Sequence, residues 1–82
     1  MERQWYVYIL QCRDGTLYTG ITDDLTRRIA VHNSGKGAKY TRGRGPLELV
    51  YCEECADKSD ALKRELEIKA MSREYKLKLI EK

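Results

Sequence analysis

The chain has 82 residues, 41% of them hydrophobic and 35% charged, with a net charge of +3. That length suits a single domain over residues 1–82, since a second core needs more chain, and the composition excludes both a membrane protein and a disordered one. No run approaches the ~18 apolar residues of a spanning helix. Met1-Glu2-Arg3-Gln4-Trp5 has no signal-like apolar stretch, so the expected location is the cytoplasm.

Trp5-Tyr6-Val7-Tyr8-Ile9-Leu10 is aromatic and β-branched, and it predicts a strand. Arg13-Asp14-Gly15 is a turn signal, and residues 16–22 form the return strand. Loop length decides what the tyrosines can do together. A two-residue loop puts Tyr8 and Tyr18 on opposite faces. A three-residue loop, Arg13 to Gly15, pairs Leu10 with Tyr18 and Tyr8 with Gly20, which puts both rings on one face. Glycine at the third loop position suits the left-handed conformation that loop needs, and the longer loop is favoured. It also gives Gly20 a reason, as room for a ring or a ligand. Taken singly, Tyr6, Tyr8 and Tyr18 are equally consistent with strand tyrosines whose hydroxyls reach water.

Thr22, Asp23 or Asp24 can cap a helix running through Leu25 to His32, which stops at Asn33-Ser34-Gly35. At about 100° per residue, His32 and Arg28 border the apolar side set by Leu25 and Ile29, while Arg27 points away. Arg28 could offer its planar fork to a phosphate, or simply snorkel. His32 alone reads as a structural histidine. Residues 35–46 form a basic, glycine-rich loop. A third strand is expected over Leu47 to Cys52, then a helix from Ser59 through Met71, and a short helix from Tyr75 to Ile80 after a break at Ser72.

In the long helix Glu65 falls between Ala61 and Ile68 on one side and Leu62 on the other, in the middle of the apolar stripe. A carboxylate there needs a partner. Lys69, one turn on, offers an ion pair; a hard divalent cation is the alternative.

Cys12, Cys52 and Cys55 are an odd number and fit reduced thiols. Cys52-x-x-Cys55 with Cys12 and His32 has the makings of a zinc site, yet a strand there would point the two thiols to opposite faces. The charge is unevenly spread. Residues 25–47 carry Arg27, Arg28, Lys36, Lys39, Arg42 and Arg44 with no acid, whereas residues 53–82 are balanced. Such a stretch is either the footprint of a polyanion partner or an ordinary basic surface.

Val7-Tyr8-Ile9, then Tyr18-Thr19-Gly20, a helix with Arg28 and His32, and a core-facing Glu65 resemble the GIY-YIG nuclease superfamily. The likeness covers nearly the whole chain and is strongest to small stand-alone bacterial members of the UPF0213 kind. Each tripeptide is weakly specific; the ordered set is strongly so. The resemblance implies an α+β fold in ββαβαα order, a three-stranded antiparallel sheet flanked by helices. It implies hydrolysis of DNA phosphodiester bonds with one divalent ion, Mg2+ or Mn2+. By matching position, Glu65 would hold the metal and Arg28 the scissile phosphate, and Tyr8 and Tyr18 would orient or deprotonate water with help from His32. Arg27, Lys36, Lys39, Arg42 and Arg44 would contact nucleic acid. Branched or damaged DNA, and a repair or recombination protein, are the further partners implied. Two positions depart from the pattern: Lys76 follows Tyr75 where many members have asparagine, and Ile21 stands where some repair members have lysine. A non-catalytic nucleic-acid-binding module and an adaptor remain alternatives from other classes.

Overall fold

In a computed structural model the described residues are 4–37, 41, 43 and 45–81. The elements are β1 (Trp5–Gln11), β2 (Leu17–Thr22), α1 (Leu25–Asn33), β3 (Glu48–Cys55), α2 (Lys58–Lys69) and α3 (Arg73–Ile80). The strands form one antiparallel sheet in the order β2-β1-β3. Among the described residues no helix is long and apolar enough to cross a membrane.

The hairpin settles the face of the tyrosines. The Cys12 amide donates to the Thr16 carbonyl at 2.8 Å and Gly15 takes φ +86°, so the loop is the three-residue one. Tyr8 therefore faces Gly20, and Leu10 faces Tyr18. Side-chain alternation then splits the core in two. Val7, Ile9 and Cys55 pack with Ala61 and Ile68 of α2 and with Leu79 and Ile80 of α3. On the other face Tyr8, Leu10, Cys12 and Leu47 pack with Tyr18 and with Leu25 and Ile29 of α1. Ile21 belongs to the α2 side, so it points away from Tyr8.

Asp24 is the cap of α1, its carboxylate accepting from the Arg27 amide at 3.1 Å, while the Thr22 hydroxyl accepts from the Asp24 amide at 3.0 Å. The helix closes with paired bonds, Gly35 amide to His32 carbonyl and Lys36 amide to Val31 carbonyl, and Gly35 at φ +83°. This is the left-handed glycine stop that sends the chain back across the helix end. Asn33 then ties that end to the residue before β3, accepting from the Leu47 amide at 2.8 Å and donating to its carbonyl.

The bounds of β3, α2 and α3 differ from the sequence expectation. β3 runs on to Cys55 because Trp5 to Tyr8 of β1 pair with it, and that pairing outweighs the poor strand propensity of Glu53 and Glu54. Glu53 is held by the Tyr51 hydroxyl at 2.5 Å and by Arg64 at 3.2 Å. Cys52 is exposed and Cys55 buried, as strand alternation requires. α2 starts earlier, at Lys58, because Asp57 caps it by accepting from the Asp60 amide at 2.8 Å, and it ends at Lys69. α3 starts at Arg73, capped by the Ser72 side chain. Leu62, assigned to the buried stripe, is 42% exposed, because the narrow sheet leaves that flank of α2 uncovered.

Candidate active site

Tyr8 is the hub. Its ring is 1% exposed, and the absent side chain of Gly20 makes room for it. A Cβ at Gly20 would lie 2.6 Å from the Tyr8 hydroxyl and 3.1 Å from Cε2 of Tyr18. The Tyr8 hydroxyl meets Nε2 of His32 at 3.0 Å. Tyr18 packs on the same histidine, with ring centroids 5.3 Å apart, and its centroid is 6.4 Å from that of Tyr8.

His32 is fixed from its other side too. Its Nδ1 meets the Thr41 hydroxyl at 2.9 Å, and both residues are buried. Gly37 lies against the imidazole so closely that a Cβ there would overlap it. Burial, and then the nearby Arg28 cation, push the His32 pKa below its usual value, so the ring is neutral at pH 7. A neutral imidazole has one donor and one acceptor. With Nε2 accepting from Tyr8, Nδ1–H donates to Thr41; the reverse tautomer has Nε2–H donating to the tyrosine oxygen.

Burial also raises the Tyr8 pKa. The nearby Arg28 guanidinium opposes this, while Tyr18 and Glu65 add to it through space. Arg28 from α1 and Glu65 from α2 thus both act on the Tyr8 hydroxyl. Arg28 is half-buried and shares a cleft with Thr22, Asp23, Asp24, Arg27 and Val31. The Glu65 side chain is 15% exposed, and Lys69 Nζ lies 3.3 Å from its carboxylate. The i,i+4 ion pair, one of the two partners the sequence offered Glu65, is therefore present. Tyr8, Tyr18, Arg28, His32 and Glu65 are brought together from four elements.

Arg27 and Lys36 are exposed on and just beyond α1, whereas Lys39, Arg42 and Arg44 lie outside the described residues. Thr41 and Gly37 were not singled out from the sequence. Their only signal is a second glycine two residues after the helix stop, which is where a returning backbone would cross His32.

Glu65 supplies a single carboxylate, and the described residues gather no group of three or more His, Cys, Asp or Glu side chains. This set does not suit a closed zinc site. It does suit Mg2+ or Mn2+, which keeps several waters and takes further ligands from a substrate phosphate.

A family model described as the GIY-YIG catalytic domain matches residues 4–78. A UPF0213 protein of Oceanobacillus iheyensis is 56% identical over 99% of this chain and 94% of its own. One from Staphylococcus saprophyticus is 59% identical over 92% of each. The solution NMR structure of a UPF0213 protein from Bacillus halodurans superimposes with a TM-score of 0.62 at 52% identity, covering 95% of this chain and 83% of that one. A second NMR structure, of a protein from E. faecalis, gives 0.63 at 39% identity, covering 92% and 80%.

Proposed function

Since the chain belongs to the GIY-YIG catalytic-domain family, we propose that it is a divalent-metal-dependent endonuclease that hydrolyses DNA phosphodiester bonds with low sequence specificity. The observation that carries this reading is the buried Tyr8 hydroxyl, bonded to a neutral histidine and acted on by both an arginine and a carboxylate.

The chemistry follows from those protonation states. A buried phenol with a raised pKa is a poor base by itself. His32 gives its proton somewhere to go: as Tyr8 takes a proton from the attacking water, its own passes to Nε2 across the 3.0 Å bond. Thr41 and Gly37 hold the imidazole in register for that transfer. Arg28 binds the scissile phosphate and stabilises the charge that builds on it. Tyr18 shares the face and helps to orient the water. Glu65 holds the divalent ion, which would supply positive charge to the phosphoryl and leaving oxygens. The basic residues of 25–47 hold the backbone of the substrate, so affinity falls with salt and sequence is read weakly.

The Lys69 ammonium against Glu65 favours a second reading, a binding module whose carboxylate serves only structure. One experiment separates the two: cleavage of labelled single-stranded, duplex and branched DNA with Mg2+ or Mn2+, with Glu65→Ala alongside. The expected result is metal-dependent products that vanish in the variant while DNA binding persists. Equal activity in the variant refutes the metal assignment. Salt-sensitive binding without products selects the binding module.

A further inference from the structure

β2 is an edge strand, and its open side runs beside the end of α2 and the start of α3. Leu17, Tyr18, Thr19, Lys69 and Lys76 line a cleft of about 320 Å3 there. A second cleft, lined by Thr16, Leu17, Arg73 and Lys76, adjoins it through the shared Leu17 and Lys76. We propose that this continuous groove is a second phosphodiester-binding site, which seats the nucleic-acid strand beside the scissile phosphate. The proposal rests on the nuclease reading and extends it to residues outside the catalytic cluster.

Charge is the first argument. Among the described residues three cations line the groove and no carboxylate does. Lys69 shares its charge with Glu65, but Arg73 and Lys76 make no ion pair among the described residues. Arg73 is already aimed, with Nη2 donating to the Gly15 carbonyl at 3.1 Å, so its fork is held at the mouth of the groove near the β1–β2 turn. Pre-set guanidinium geometry lowers the ordering cost of binding a phosphate.

The second argument is an unmet hydrogen bond. Thr19 is 4% exposed and forms part of the wall, and its buried hydroxyl has no hydrogen-bond partner among the described residues. A buried hydroxyl without a partner is costly, so an oxygen-rich ligand in the groove is favoured by satisfying it.

The third argument is continuity. Tyr18 packs on His32 and Tyr8 in the catalytic cluster and also lines the groove. A strand with one phosphate at Arg28 can thus continue past Tyr18 to Lys76 and Arg73. Sequence charge could not reveal this, because residues 53–82 are neutral overall. Folding sorts them, turning Lys69, Arg73 and Lys76 to the β2 edge.

The test uses the full chain and fluorescence anisotropy over a range of salt, without divalent metal, with a short labelled duplex and a short oligothymidine. Arg73→Gln with Lys76→Gln is compared with Lys58→Gln plus Lys63→Gln, which removes the same charge from the first half of α2. The expected result is weaker binding in the first pair only, with the log–log salt slope flattened by up to about 1.8 on duplex and about 1.4 on single strand. Backbone amide NMR shifts at Leu17, Tyr18 and Thr19 should also move on adding oligothymidine. Equal slopes in the two double variants, with those amides unmoved, overturn the groove while leaving the nuclease reading intact if Glu65-dependent cleavage persists. Wild-type protein that binds neither probe overturns both.

Discussion

Gly20→Ala tests the packing on which the candidate active site depends. Gly20 is not at a positive φ, so alanine can adopt its backbone conformation. The loss of unfolded-state freedom would by itself stabilise the variant by about 0.4–1 kcal/mol. Against this, the new methyl lies 2.6 Å from the Tyr8 hydroxyl, 2.8 Å from Cζ and 3.1 Å from Tyr18. Tyr8 cannot swing aside, since its ring is 1% exposed and its hydroxyl is bonded to His32. Overpacking of this kind costs about 1–3 kcal/mol, and breaking the buried hydrogen bond adds about 1 kcal/mol. Steric overlap therefore wins, with a net loss of about 1–3 kcal/mol. At roughly 2.1 cal/mol/K per residue, 82 residues give an unfolding entropy of about 0.17 kcal/mol/K, which makes the expected fall in Tm about 6–17 °C. Circular dichroism melts of the two proteins measure it directly. A Tm equal to or above that of the parent would refute the claim that Gly20 exists to admit the Tyr8 ring.

His32 gives a pH prediction. Its folded pKa is lowered by burial and by Arg28, so the unfolded chain takes up the proton more readily. The stability it contributes is full above about pH 6.5 and is lost as pH falls from there toward the folded value. Urea unfolding across that range should show the acid-side loss in the parent and less of it in His32→Gln; parallel profiles would exclude His32 as its source. For nucleic-acid binding, Lys39→Ala with Arg42→Ala should weaken affinity for all sequences alike and flatten the salt slope by up to about two, and an unchanged slope would remove the basic segment from the binding surface. Thiol chemistry separates the cysteines. Iodoacetamide should modify native protein rapidly at exposed Cys52 alone and all three thiols in denaturant, as read by mass spectrometry, whereas fast native labelling at Cys12 or Cys55 would contradict their burial.

The features legible beforehand are those set by neighbours in the chain. A glycine at the third loop position selected the loop, and the loop selected the register that faces Tyr8 with Gly20. One of Thr22, Asp23 and Asp24 was to cap α1, Gly35 was to end it, and helical spacing put Arg28 and His32 toward the buried side with Arg27 outward. The i,i+4 spacing of Glu65 and Lys69 likewise put their ion pair among the two readings open for that carboxylate. Each of these is decided over a few residues, where steric limits and hydrogen-bond reach leave few alternatives.

Tertiary structure decided the rest, because helical and strand periodicity orient a side chain without saying what will cover it. Pairing with β1 extended β3 through two glutamates that would not form strand on their own. A sheet of only three strands left Leu62 42% and Leu66 68% exposed, although spacing had put Leu62 on the buried stripe. Thr41 reached His32 only because the chain turns back at Gly35 and lays Gly37 on the ring. Lys76, a departure from the family pattern in one dimension, came to line a groove with Tyr18 only because the start of α3 comes beside Leu17 of β2. The sequence by itself determined the order of the elements, the β1–β2 register and the face of each candidate site side chain. The approach of Glu65 to within electrostatic range of Tyr8, and the sharing of one cleft by Tyr18 and Lys76, were left to the packing of the layers, since the placing of residues far apart in the chain depends on how whole elements fill space together.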